Sequence, residues 1–245
     1  MAKSEGIKRL IDELHEITLH GMADALEELY RSSDFDSLDR LGFLEKLIGP
    51  QYEMTTVRQY ENRIERANLK GSPQVLDNCR DSSERSYLPS ELISTLASMD
   101  FIKEGLNVCI LGLSDSGKTY LAKALSIQAC VKYRVSYQHC EPFVEELVVM
   151  KEADFMKYKK KIRYYTNMDL LVLDDFMLHP ITDERVVKVI HDLLENRTEK
   201  SKSTIVCSQR EPKSWASMIL NDEVSYNAIM KRATKHYTVV IQPKE

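Results

Sequence analysis

Residues 112–119 read "GLSDSGKT", a match to G-x-x-x-x-G-K-[ST], set between the apolar run "NVCIL" and the Ala- and Leu-rich "YLAKALSIQA". A strand, a tight glycine loop and a helix in that order fix most of what the chain can become. Backbone N–H groups of such a loop turn inward on phosphate, and the amino terminus of the next helix adds positive partial charge. Lys118 then reaches the outer phosphates of a nucleotide, and the Thr119 hydroxyl ligates Mg²⁺. Gly112 and Gly117 stand where a side chain would obstruct the backbone or forbid a needed dihedral. The expected nucleotide-binding residues are therefore Gly112, Leu113, Ser114, Asp115, Ser116, Gly117, Lys118, Thr119 and Tyr120. Asp115 occupies the fourth position, where many such loops carry glycine; Asp tolerates positive φ better than most residues, but its carboxylate must point away from phosphate.

A second apolar run, "DLLVLDDF", ends in Asp174 and Asp175 and puts two carboxylates at the carboxyl end of a buried strand, where ligands collect in doubly wound folds. Asp174 is expected to hold the Mg²⁺ and Asp175 to orient or deprotonate the attacking water. "STIVCSQRE" supplies a third strand ending in Ser208 and Gln209, polar groups suited to sensing the outermost phosphate. With "RVSYQHC", "YTVVIQ" and the helical patterns between these runs, residues 96–245 read as an α/β domain with a mostly parallel sheet flanked by helices.

The first seventy residues differ in texture. Ile7, Leu10, Ile11, Leu14 and Ile17, then Met22, Ala25, Leu26 and Leu29, recur at helical spacing, and Leu38, Leu41, Leu44 and Leu47 repeat the pattern. Gly49 and Pro50 are expected to end that third helix, with Pro50 opening a fourth. Residues 1–70 thus form a small all-helical domain for a partner or for assembly, and the Gly-, Ser-, Asp- and Pro-rich residues 71–95 a linker.

A hydrophobic content of 43% with 29% charge is ordinary for a globular chain, and no apolar run approaches the ~18 residues of a membrane span. The reading is a cytoplasmic protein with no membrane contact. The five cysteines lack C-x-x-C spacing and are expected as buried thiols. Net charge is -4, and residues 1–72 carry all of it, so basic clusters beyond them are local. One is "MKYKKKIRYY", where Lys157, Lys159, Lys160, Lys161 and Arg163 have three tyrosines among them, a composition suited to phosphates and bases. Arg58, Arg63, Arg66 and Lys70 form a second candidate surface, diluted by Glu53, Glu61 and Glu65.

These strand ends, the helical leader "ITLHGMADALEELY", the charged "YENRIERANL" and the later "NAIMKRATKHY" together resemble the IstB-like transposition helper ATPases, an AAA+ family akin to DnaC-type helicase loaders. The resemblance implies an AAA+ P-loop NTPase core using ATP and Mg²⁺, with Lys118 and Thr119 in the Walker A roles, Asp174 and Asp175 in Walker B and Ser208 as first sensor. It places Arg232 of "IMKRA" where an arginine reaches into a neighbouring subunit's nucleotide. Asp175 stands where many AAA+ proteins have glutamate, and the chain ends at "VVIQPKE" without a helical lid, so nucleotide sensing is expected to fall to the neighbouring subunit. The implied function is an ATP-dependent homo-oligomer that binds duplex DNA with little sequence preference and presents it to a transposase, with hydrolysis resetting the assembly. The alternatives are a DnaC-like helicase loader and a nucleotide-gated DNA-binding module with negligible turnover.

Overall fold

The structure is a computed structural model that describes residues 2–219 and 222–244, without the side chains of Ala2, Lys3, Ser33 and Asp34. It comprises two compact units, Met1–Asn62 and Arg63–Glu245.

The first unit is helical: α1 (Ala2–Glu16), α2 (His20–Arg31) and most of α3 (Arg40–Arg66). In α2 the apolar stripe buries Ala23, Ala25, Leu26 and Leu29. Gly21 sits where α2 meets α3, since a Cβ there would stand 2.8 Å from the Gln51 backbone, and its N–H donates to Gln51 Oε1 at 2.9 Å. The expected break at Pro50 does not occur; α3 runs through it for 27 residues. Gly49 removes one obstacle to this, because the clash that proline imposes on the residue before it falls partly on a Cβ that glycine lacks.

In the second unit, six strands form one sheet in the order β1-β6-β2-β5-β4-β3. They are β1 (Arg85–Leu88), β2 (Val108–Gly112), β3 (Val135–His139), β4 (Leu170–Asp174), β5 (Ser203–Ser208) and β6 (Tyr237–Pro243). All pairings are parallel except β1 with β6. The helices are α4 (Glu91–Ala97), α5 (Asp100–Lys103), α6 (Lys118–Ala129), α7 (Cys140–Ala153), α8 (Phe155–Thr166), α9 (Glu184–Glu199) and α10 (Glu223–Thr234). Strands β2, β4 and β5 are buried along almost their whole length, as expected of parallel strands covered on both faces. The stretch 71–95, read from its composition as a linker, contains β1 and the start of α4. Its Gly, Ser and Pro texture hid a four-residue strand too short for any alternation to register.

The end of α3 seals the free edge of the sheet. Tyr137 N donates to Ala67 O at 3.0 Å and Asn68 Nδ2 donates to Tyr137 O at 3.3 Å, while Arg63 holds the carbonyls of Cys130 and Val131 at 2.6 and 2.7 Å. An unpaired edge strand is thereby closed to other chains. Inside, all five cysteines are buried and free thiols, as expected from their number and spacing.

Arg197 is an unexpected core residue, fully buried on α9. Its guanidinium donates to Tyr165 O at 2.6 Å, Met168 O at 3.0 Å, Thr204 Oγ1 at 3.0 Å and, in a very short contact, Ser203 O. One side chain thus ties α9 to the α8–β4 turn and the start of β5, which sets where β4 begins and hence where its carboxylates emerge. Arg197→Met nearly keeps the volume but takes the guanidinium donor away from all four acceptors. Urea unfolding should show a loss of about 3 kcal/mol.

Candidate functional site

The carboxyl ends of the parallel strands share one edge of the sheet, the usual ligand position in open α/β folds. Gly112 ends β2, His139 ends β3, Asp174 ends β4 and Ser208 ends β5; His139 pairs in register with Asp174, and Leu111 with Ser208. The loop 113–117 leaves β2 there and delivers Lys118 and Thr119 as the first residues of α6.

Within the loop, Gly117 has φ +104° and Asp115 +59°, so the fourth position is left-handed and Asp fills it at modest cost. The Asp115 side chain is exposed, and Ser114 Oγ lies 3.4 Å from its Oδ2. Its carboxylate therefore faces solvent. Gly112 is required by packing: a Cβ would stand 2.5 Å from Ser116 Oγ and 2.7 Å from Ile241 O. Lys118 is buried, and its amine donates to Leu113 O at 2.6 Å across the loop. Burial pushes its pKa down, and the charges around it, including those of Asp174, Asp175 and Asp115, act in the opposite direction.

Asp174 is the hub. Its Oδ2 accepts from Thr119 Oγ1 at 2.8 Å and, in a very short contact, from the Tyr137 hydroxyl; its Oδ1 accepts from Asp175 N at 3.1 Å. Burial, then the neighbouring Asp174 charge, push the Tyr137 phenol far above its ordinary range, so it keeps its proton and donates. Asp175 takes a left-handed backbone, φ +56°, which turns its side chain out of the strand line into partial exposure, with Oδ2 3.5 Å from His139 Nδ1. Behind it Phe176 N bonds to Cys207 O at 2.7 Å and its ring packs edge-on against Trp215, which anchors the turn. His139, Asp174 and Asp175 offer ligand atoms that all lie within 4.8 Å of one another.

These residues fit a magnesium nucleotide. The buried Ser116 hydroxyl has no hydrogen-bond partner among the described residues, and the loop leaves no room for a Cβ at Gly112. A primary amine, a threonine hydroxyl and an oxygen-rich carboxylate pair converge on that place, donors suited to phosphate and to a hard divalent cation.

The profile of the IstB-like ATP binding protein family matches residues 12–244. This chain belongs to the IstB-like ATP-binding family. Among its relatives, the insertion-sequence IS1162 protein of Pseudomonas fluorescens, named as ATP-binding, is 31% identical over 207 residues, 81% of this chain and 84% of the relative. An insertion-sequence protein of Sinorhizobium fredii, also named as ATP-binding, is 30% identical over 225 residues, 91% of this chain and 88% of the relative. The fold resembles the DnaC helicase loader, with TM-score 0.55 at 20% identity over 70% of this chain and 98% of that one. It also resembles the replication initiator DnaA bound to AMPPCP and single-stranded DNA, with TM-score 0.56 at 20% identity over 70% and 50%. The AAA+ core expected from the motifs is thus the fold of this IstB-like chain, and no described helix is long and apolar enough to cross a membrane.

The other residues singled out from the sequence fall in different places. Ser208 is fully buried, and its Oγ accepts from Arg210 N at 3.2 Å. Arg232, near the end of α10, is ion-paired to Glu195 and donates to Ala228 O at 2.7 Å, while its carbonyl accepts from Asn107, just before β2. That is the sheet edge opposite the phosphate loop, so Arg232 makes no contact with its own chain's site. Of the basic run on α8, Lys157, Lys160 and Lys161 line an open groove of about 570 Å³ with Arg66, Tyr164 and Glu146. Arg66 and Tyr164 are shared with a neighbouring groove of about 430 Å³ that adds Arg63 and Arg134. Lys159 lies over the Phe155 ring and, like Arg163, does not line either groove.

Motif spacing missed Tyr137 and His139, whose sequence signal was only that "RVSYQHC" ends a strand in a polar pair. Tyr137→Phe removes one hydroxyl and no volume. Denaturant unfolding should lose about 1–2 kcal/mol, since the buried carboxylate keeps Thr119 and the Asp175 amide as donors but loses the phenol.

Proposed function

We propose that this IstB-like chain is a magnesium-dependent ATPase that assembles on duplex DNA in its ATP form and presents that DNA to a transposase, hydrolysis releasing the assembly. The observation that carries the reading is the convergence of Lys118, Thr119, Asp174 and Asp175 at one sheet edge in a chain whose relatives are insertion-sequence ATP-binding proteins.

Magnesium-bound ATP would supply the transferable phosphoryl group and a counter-charge for the oxygens that become more negative during transfer. The chain's own residues do the rest. Loop N–H groups from Leu113 to Lys118 bind phosphate oxygens, and Lys118 gives up its bond to Leu113 O for a stronger one to an anionic oxygen. Thr119 and Asp174 would hold the cation. Tyr137 donates to the Asp174 oxygen and keeps it from turning. Asp175, held outward by its left-handed backbone and close to His139, is the group placed to accept a proton from water. An aspartate is one methylene shorter than the glutamate common at this place, and the positive φ at Asp175 and the adjacent His139 favour a carboxylate already displaced toward the ligand side.

For DNA, the double groove along the β3 edge supports backbone recognition: Arg63, Arg66, Arg134, Lys157, Lys160 and Lys161 surround Tyr164, a mixture that neutralises phosphates without reading bases. The helical unit supports the partner role, because Leu41, Leu44, Ile48 and Tyr52 recur along α3 at helical spacing and are 48–70% exposed. Arg232, paired to Glu195 away from its own chain's loop, suits a role toward a neighbouring subunit. Relatives from insertion sequences favour transposition over helicase loading, for which the fold likeness alone speaks.

Turnover tests the enzyme half of this reading. Asp175→Asn should bind ATP within about threefold of the natural protein and hydrolyse it at least a hundredfold more slowly, because general-base assistance is worth ~10²–10⁴ in rate. Equal phosphate release by both proteins in a steady-state assay would make the chain a nucleotide-gated binding module.

A further inference from the structure

A strap of chain from Val75 to Leu88 runs past the amino-terminal end of α6. Val75 N and Asn78 Nδ2 donate to the Tyr120 hydroxyl at 3.3 and 3.1 Å, one residue beyond Thr119. Arg85 then opens β1, held by antiparallel pairing to β6 in which it faces Pro243. Its guanidinium reaches the phosphate loop: Nη1 donates to Ser116 O at 3.4 Å, and a Cβ on Gly117 would stand 2.5 Å from the same nitrogen. A permanent cation therefore lies on the loop next to the residues that receive phosphate.

Among the described residues no firm counter-ion holds it there. The one ion pair of Arg85 among them is to Glu84, at 3.8 Å, and Glu84 is 79% exposed, so that contact is weak and screened. The bond to Ser116 O is long and ends on a neutral acceptor. The other polar neighbours, Tyr87 and Cys79, are raised by burial toward their protonated, uncharged forms, with the Arg85 charge opposing that rise in both. A guanidinium stays charged at any working pH, and one two-thirds withdrawn from water without a close anion is poorly compensated. Polyphosphate arriving in the loop is the anion that compensates it, and the planar fork of arginine can take two phosphate oxygens at once.

We propose that Arg85 is a nucleotide-binding residue acting within its own chain, a second cation on the phosphates besides Lys118. The step is a change of partner: the guanidinium leaves Ser116 O and Glu84 and donates to phosphate oxygen. Its backbone is fixed in β1 while its tip is one-third exposed, so side-chain rotation suffices. Hydrolysis is not required for any of this, so the proposal stands or falls apart from the assignment of Asp175.

The test is titration of fluorescent ATP and ADP analogues into the full-length protein and its Arg85→Ala and Arg85→Lys variants at several salt concentrations. A direct phosphate contact predicts about tenfold weaker binding of both nucleotides by Arg85→Ala, partial recovery by Arg85→Lys, and a flatter dependence of log Kd on log salt in the alanine variant. The urea midpoint of the ligand-free protein should be unchanged. Affinities within twofold of the natural protein overturn the proposal. So does an equal loss with an unaltered salt slope, which would assign Arg85 to holding the shape of the loop.

Discussion

A buried carboxylate is tolerable only where its oxygens are saturated by donors, and Asp174 meets that condition by drawing three elements to one point. Thr119 comes from the first turn of α6, Tyr137 from β3, and the Asp175 amide from the turn leaving β4. Each partner is also a component of the site or its immediate support. The interaction that makes the strand end stable is therefore the same one that sets the glycine loop, the edge strand and the Asp175 carboxylate in register. Remote contacts serve that register: Arg197 fixes where β4 and β5 start, and the last turn of α3 with Asn68 fixes β3 from its open side.

The two faces of this arrangement divide the labour. At the carboxyl edge of the sheet, amine, hydroxyl and carboxylates converge on a space suited to triphosphate and cation. Along β3, the arginines of α3 and the lysines of α8 gather around Tyr164 although they lie about ninety residues apart in the chain, Arg66 against Lys157. Because β3 bears Tyr137 and His139 on one end and lines the basic groove with Ser136 and Gln138, a nucleotide-driven shift of that strand would be felt by both surfaces.

Much of this was legible in the residues alone. The phosphate loop, the Asp174–Asp175 pair, the parallel strands and the buried thiols follow from local patterns, since a strand buried on both faces is apolar throughout and a glycine loop has few alternatives. What escaped has a common cause. Tyr137, His139 and Arg85 acquire their places beside the loop and the strand-end carboxylates from strand order and register, which bring residues from distant stretches together without leaving a spacing to read. The strand at Arg85–Leu88 is also too short to show alternation, and α3 continues through Pro50, where the glycine before it removes a clash that local rules assume. Arg232 matched a motif, yet its pairing with Glu195 and its distance from its own loop are matters of tertiary placement.

Sedimentation of the full-length protein, with and without duplex DNA, in a non-hydrolysable ATP analogue, in ADP and without nucleotide, alongside Lys118→Ala, tests the nucleotide-gated clamp most directly. A clamp forms large assemblies only with the triphosphate analogue, enlarges them with duplex DNA and loses them in Lys118→Ala. A chain that remains monomeric in every condition and ignores DNA would contradict it, and the phosphate loop would then serve a ligand unconnected with assembly on DNA.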